Sequence, residues 1–466
     1  MSNQRTPKKD VSETRSTVRY TVPPDIISKI ALNTLPGAIC DLYLDDESKA
    51  DRRLRLYADQ SGTARFYAGP AKESKINEKL VIDCSVGGKV IRIPVELRID
   101  SNPTSDMPAP HVEYIRSAAD KVRPGLSEQE MVNLSGGELI KRGYPHRPNP
   151  KKAPEAFSKW KKRVSRPQII VDPRSVAEPY LSSRPVVKPK VDLHTDAQTT
   201  FNDHWSGAVM FSNPGQAPWY WVGASWPVPS VTGNIGTNSY AWAWVGIDGW
   251  DTTPNCVVQG GTESNYMGGN QSPLSVYYGW HQYWGGPDQN ENQHGAQIFM
   301  GFNIGPGTEI LATVAFDVDC FHPPLTSLNP PCTSVTVSLW DETNPDPNIP
   351  NPTVSWTYQL GNFAPAGACA EAIMERSTLP DANGNLALTD LANYNALVMQ
   401  EVMGAYFLPT PTYPGGPYCD EKMQVNYNNP TAQVTMINSA ANTLSSCDSI
   451  SGVGYGSINL TWHAAD

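Results

Sequence analysis

The chain has 466 residues, 39% of them hydrophobic, with 42 Pro and 36 Gly, enough for two or more domains with sizeable cores and many turns. Residues 1–200 carry 34 of the 36 Lys and Arg against 25 Asp and Glu, whereas residues 201–466 carry only Arg376 and Lys422 against 21 carboxylates, so a net +9 is followed by a net −19. That balance argues against nucleic-acid binding by the second part, and no apolar run reaches transmembrane length, so neither nucleic acid nor membrane is an expected partner. Carboxylates with few cations repel one another at neutral pH, and protonation at about pH 4 relaxes the repulsion. The second part reads as built for acid.

In chain order, residues 1–16 read as a disordered charged tail, and residues 1–17 hold no apolar stretch of the kind a secretory signal needs. Residues 17–100 form a predicted small β module, with apolar runs at 18–22, 38–44, 54–57, 64–67, 80–84 and 90–99 separated by turn residues. Cys40 and Cys84 fall inside it, paired or free. Residues 101–200 read as a connector. Spacing over 111–142 is helical, with Ser127 as N-cap and Glu130 three residues on. Residues 143–190 contain nine Pro and a basic run, Lys159-Trp-Lys-Lys-Arg163, on a predicted short helix over 153–164. The rest of that stretch is expected to be extended, exposed and open to proteases. The basic run is either a solvated face or a surface that meets the acidic domain.

Residues 201–466 alternate short aromatic or apolar runs with turns. Strands are expected at 209–211, 240–247, 257–259, 276–283, 296–304, 309–318, 334–340, 353–360, 371–375, 433–437 and 457–462, with one helical-looking stretch at 388–403. The fold class is therefore all-β, with a β-sandwich or barrel as the second domain. Twelve of 13 Trp and six of eight Cys lie there. An even Cys count points to disulfides and an oxidising compartment, hence to a secreted or extracytoplasmic protein. No Cys spacing fits zinc, and no metal or cofactor is expected. Neither GxSxG nor HExxH occurs, and there is no phosphate-cradling Gly loop.

Five segments stand in order: Trp205-Ser-Gly-Ala-Val209, Trp244-Val-Gly-Ile-Asp-Gly249, Val257-Val-Gln-Gly-Gly261, Tyr278-Gly-Trp-His-Gln-Tyr283 and Ala370-Glu-Ala-Ile-Met-Glu375. Together they make residues 203–466 resemble the eqolisins, the glutamic peptidases of family G1, which are acid-active endopeptidases with a concanavalin-like β-sandwich. The resemblance implies protein or peptide substrates, a propeptide that stays within the same chain until removal (here residues 1 to about 195), and a monomer. It places the catalytic pair on Gln259 and Glu375. A Glu carboxylate can take a proton from the attacking water, and a Gln amide can donate to the developing oxyanion in any protonation regime of acid. Glu371 shares a strand face with Glu375, so alternation alone does not separate them; the motif selects Glu375. Trp244, Asp248 and Trp280 match positions near the cleft, and Gln282 stands where the family often has Glu. A disulfide joining Cys256 to Cys369 is a further expectation. The residues also admit a glycosidase pairing Asp248 with Glu371 or Glu375, or a lectin-like aromatic surface without catalysis.

Overall fold

The computed structural model describes residues 11–22, 27–45, 53–59, 61–69, 75–100, 121–134, 136–148, 150–151, 154–172, 175–177, 198–212, 218–234, 236–250, 256–268, 273–284, 296–316, 334–346, 349–360, 366–380, 386–406, 431–451 and 456–464. They fall into two compact units. The first is Met1–Ser117 with Val231–Ser239 and Asn265–Tyr277; the second is Ala118–Ser230 with Tyr240–Ser264 and Tyr278–Asp466.

In the first unit a sheet runs in the order Glu13–Thr14, Lys89–Asp100, Lys75–Val86, Ile39–Leu44, Arg53–Tyr57, with Val18–Val22 also paired in parallel to Lys89–Asp100. Lys75–Val86 and Lys89–Asp100 form a long hairpin whose two-residue turn, Gly87-Gly88, has positive φ at both positions, the geometry that matches strand twist. Cys40 and Cys84 are directly opposed on neighbouring strands and form a disulfide. One face packs Leu42, Leu54, Leu56, Ile82, Ile93 and Val95, while the other carries Arg92 paired to Asp83 at 2.8 Å. Ser28–Asn33, a strand not anticipated from sequence, pairs with Thr63–Ala68.

The second unit contains the sandwich. In one sheet, Lys121–Arg123, Gln168–Ile170, Asn351–Gln359, Ser334–Asp341, Glu309–Phe316, Trp219–Pro227 and Ala396–Tyr406 are neighbours in that order. In the other, Cys369–Glu375 lies between Trp205–Phe211 and Asn238–Ile247; Trp205–Phe211 pairs onward to Thr431–Ile437. Val257–Gly268 and Pro273–Trp284 continue this sheet beyond Asn238–Ile247. A Cβ on Gly261 would meet the Ala243 carbonyl at 2.0 Å, and one on Gly260 the Trp280 carbonyl at 2.9 Å, so glycine permits these close backbone approaches. Side chains on alternate positions of these strands meet the facing sheet: the Trp226 indole donates to Thr262 Oγ1 at 2.9 Å, and Gly260 and Gly279 lie against Val337 and Leu339.

The helix expected over 388–403 is not present. Leu386–Leu388, Asp390–Leu391 and Ala396–Tyr406 are strands. Ala396–Tyr406 pairs with Gly456–Trp462 in one sheet and Trp219–Pro227 in the other, with register shifts around Gln400 and Glu401. Glu401 has a φ of 52° there. The bulge puts two residues, Gln400 and Glu401, between Met399 and Val402, which pair with residues two apart on the neighbouring strand, and that three-position interval mimics a helical repeat in the sequence.

The connector is likewise more structured than expected. Ser127 and Glu130 make the predicted reciprocal capping box at the start of Glu128–Asn133, and Pro154–Val164 is the predicted basic helix. Residues 111–120 lie outside the described residues. Around that helix, however, the chain is packed rather than exposed. Leu126, Met131, Leu139, Tyr144, Trp160 and Val164 share a core cluster with Leu311 and Trp340, and Gln168–Ile170 adds a parallel strand to Asn351–Gln359. The basic run does meet acidic residues. Arg163 is buried and pairs with Glu342 and, at 3.1 Å, with Glu401, which also receives Lys159 at 3.3 Å. Although burial opposes ionisation of Glu401, the charges of Arg163 and Lys159 bring its pKa below the usual value. Arg163→Met is expected to lower unfolding stability by about 3–5 kcal/mol, because it leaves a buried carboxylate without its guanidinium. Chemical denaturation at neutral pH measures this, and adding Glu401→Gln to the same chain should recover part of the loss.

Candidate active site

The strand Cys369–Glu375 is central to its sheet and wholly buried. Its odd-numbered residues face one way, and the pairing shows what each meets. Glu375 is opposite Trp242 on one side and Trp205 on the other; Glu371 is opposite Gly246 and Val209. Beyond Gly246 comes Gln259: a Cβ on that glycine would stand 3.2 Å from Gln259 Cβ. Beyond Gln259 comes Gln282, whose Oε1 accepts a 2.9 Å hydrogen bond from Gln259 Nε2. Gln259, Gln282, Trp242, Trp244, Trp280, Glu371 and Glu375 therefore share one face, each at most 1% exposed.

Glu375 is oriented by Trp244, whose Nε1 donates to Glu375 Oε2 at 2.8 Å. Trp244 in turn meets Trp205 edge-on at a centroid distance of 4.9 Å. Trp280 packs on Trp242 at 4.8 Å, and its Nε1 has no hydrogen-bond partner among the described residues. Gln259 Oε1 also lacks one. The face is thus a floor of indoles carrying one amide pair and two carboxyl groups. Trp242 was not singled out in the sequence; as a Trp two residues before Trp244 on a strand, its shared face was the available signal.

Glu371 and Glu375 differ in what surrounds them. Glu371 Oε1 accepts from Cys369 Sγ at 3.5 Å, and its Oε2 lies where a Cβ on Gly249 would be only 3.1 Å away. Complete burial pushes its pKa well above the carboxylate range, and the nearby Asp248 and Glu375 charges add to this. Register places Glu371 in the row of Gln259, with only Gly246 between them, and Glu375 four positions further along the strand.

Asp248 hydrogen-bonds to backbone and not to the pair among the described residues. It has a φ of 62° in the turn after Asn238–Ile247, and its carboxylate accepts from the backbone N–H groups of Gly367 at 2.9 Å, Ala368 at 2.7 Å and Cys369 at 3.4 Å. It anchors the segment that leads into the Glu375 strand. Burial raises its pKa to about 6, the backbone donors only partly opposing this. Arg376 is placed as alternation predicts, off the face of Glu375: its Nε donates to the Asp203 carbonyl at 2.7 Å.

The expected Cys256–Cys369 disulfide is absent. Cys256, Cys369 and Cys447 are buried free thiols, and burial raises the Cys369 thiol pKa, with Glu371 and Asp248 adding to it. The Cys369 thiol is engaged with Glu371 instead. Cys320, Cys332 and Cys419 lie outside the described residues. Among the described residues no three His, Cys, Asp or Glu are gathered as metal ligands, and no helix is long and apolar enough to cross a membrane.

Residues 203–318 match the family described as the Peptidase A4 family. No curated protein matches the chain. Among solved structures, Scytalido-glutamic peptidase with a peptide-based transition state analog is similar at 18% identity over 56% of this chain and 98% of that one, with a TM-score of 0.39. A second structure of it, with a transition state analog inhibitor, is similar at 19% identity over the same shares, TM-score 0.38. SCP-B, a member of the eqolisin family of peptidases in a complex with the tripeptide Ala-Ile-His, is similar at 19% identity over the same shares, TM-score 0.37. The match over residues 203–318, which takes in Gln259 and the Trp-rich strands around it, makes that part of the chain similar to the Peptidase A4 family.

Proposed function

We propose that the chain is the precursor of an acid-active endopeptidase in which Glu375 is the general base and Gln259 the oxyanion donor. The observation that carries this is the shared face on which a neutral indole holds Glu375 and a neutral amide holds Gln259. Neither the indole nor the amide titrates in acid. Glu375 takes a proton from a water while the water oxygen attacks the scissile carbonyl carbon. Gln259 Nε2 donates to the oxygen that becomes negative. The C–N bond then breaks and Glu375 passes its proton to the leaving nitrogen, so that an acid and an amine result and Glu375 is regenerated. The row that joins Gln259 to Glu371 across Gly246 favours a second assignment, with Glu371 as base. A digest of denatured protein over pH 3–7 by the processed enzyme, Gln259→Ala, Glu375→Gln and Glu371→Gln separates the two. Absence of cleavage by the unsubstituted enzyme at every pH would overturn both.

The disulfide Cys40–Cys84 supports a secreted or extracytoplasmic setting. The packing of residues 121–172 supports processing upstream of that segment, within 101–120, rather than near residue 195. Trp160 and Leu139 are 1% and 0% exposed in the core cluster, and protonating carboxylates does not undo an apolar contact. Mass spectrometry of the precursor after acid incubation is expected to find a mature chain that begins within 101–120. A product beginning after residue 177, or an unchanged mass at every pH, would count against it.

A further inference from the structure

We infer that Gln282 is a positioning residue for the Gln259 amide, and that as a neutral side chain it keeps this role independent of pH. This rests on Gln259 being the oxyanion donor. The two side chains occupy adjacent strands in direct register, since Gly260 lies over His281 on the same pair of strands. Both are 0% exposed, and Gln259 Nε2 donates to Gln282 Oε1 at 2.9 Å.

An amide rotated by half a turn presents its oxygen where its nitrogen was. For an oxyanion donor that rotation reverses the sign of the interaction, from a donated hydrogen bond to repulsion between two oxygens. Gln259 Oε1 has no partner among the described residues, so the contact to Gln282 is what distinguishes the two rotamers. One N–H of Gln259 is committed to Gln282, and the second N–H of the same nitrogen is left for the substrate oxygen. A carboxyl group at position 282 would accept the same hydrogen bond while ionised. In acid it would take up a proton and lose its charge, and the hydrogen bond that holds Gln259 would weaken, because an ionised oxygen accepts more strongly than a neutral one. Gln282 avoids that titration.

The test compares Gln282→Leu, which removes the acceptor at similar volume, with Gln282→Glu, which keeps an acceptor but makes it ionisable. Unsubstituted enzyme and Gln259→Ala run in parallel, and kcat and KM are measured over pH 2.5–7 on one peptide. Gln282→Leu is expected to lose about 10–100-fold in kcat at all pH values with KM little changed. Gln282→Glu is expected to recover that loss at the upper end of the range and to lose activity toward low pH through an ionisation absent from the unsubstituted profile. Retention of unsubstituted kcat by Gln282→Leu would overturn the inference. So would Gln282→Glu and Gln282→Leu profiles that fall in parallel at every pH, the sign of a merely structural role. If Gln259→Ala cleaves as well as the unsubstituted enzyme, it is the oxyanion assignment that fails.

Discussion

Glu375→Gln is expected to lower kcat by about 10³-fold or more in the processed enzyme while leaving the fold intact, because on the proposed mechanism it removes the only group that takes the water proton. The substitution is nearly isosteric, and the oxygen that accepts from Trp244 Nε1 at 2.8 Å can be kept as the amide oxygen. Thermal unfolding should therefore barely move. Gln259→Ala is expected to cost about 10²–10³-fold, the loss typical of removing one oxyanion donor, and its combination with Glu375→Gln should be less than multiplicative, since the two groups serve one transition state. Glu371→Gln is the control that the register demands. Glu371 is buried against Cys369 and Gly249, and burial raises its pKa and so favours its neutral form, so its amide is expected to leave kcat within about tenfold. If Glu371→Gln abolishes cleavage and Glu375→Gln does not, the base is Glu371. The measurement is initial rate on a single peptide at several substrate concentrations, with circular dichroism showing that each variant is folded.

Stability against pH is the second large effect. Asp248 has its pKa raised from 3.8 to about 6 by burial. A raised carboxyl favours folding most where it is protonated in both states: the contribution is fully present below pH 3.8 and is lost as pH rises through about 6. Its size is on the order of 3 kcal/mol. Glu371, raised well above 4.5, acts in the same direction. His281 opposes them. Its Nδ1 bonds the Tyr358 hydroxyl at 2.6 Å, its ring stacks on Trp356 and lies against Phe299, and burial lowers its pKa from 6.5 to about 3. A lowered imidazole favours folding where it is neutral in both states. That contribution is present above pH 6.5 and is lost as pH falls toward 3, on the order of 5 kcal/mol in all. Glu401, lowered by Arg163 and Lys159, loses its contribution as pH falls below 4.5. Between pH 6 and 4.5 two carboxyls gain against one imidazole; below 3.8 only losses remain. Urea unfolding is therefore expected to give maximal stability at about pH 4–5. His281→Phe should flatten the fall on the acid side and move the maximum lower. A profile that rises monotonically toward pH 7, or an acid limb unchanged in His281→Phe, would contradict this assignment of charges.

Much of this was legible in the chain. The alternation of aromatic and small residues marked the sheets, and the order of five short segments marked the candidate residues. The capping box at Ser127 and Glu130 could be read because a helix start is a local hydrogen-bond pattern. The strand Ala396–Tyr406 was misread because a bulge at Gln400–Glu401 converts alternation into a three-residue interval, and a bulge is set by two neighbouring sheets rather than by the segment itself. The cysteines were misjudged for a similar reason. Count and spacing permit Cys256 and Cys369 to pair, but which atoms a thiol meets depends on strands brought together from distant positions, and Cys369 meets Glu371.

By itself the sequence determined the two-part charge division, the all-β character, the basic helix and the candidates on one strand face, because composition, period and local caps are properties of contiguous residues. Only the tertiary structure decided what those candidates touch. It gave Trp244 to Glu375 and Gln282 to Gln259, sent Asp248 to the backbone of the segment before the Glu375 strand, and put Arg163 against Glu342 and Glu401. Each of these contacts spans more than twenty residues of chain, and cross-strand register, which no local pattern encodes, selects the partner.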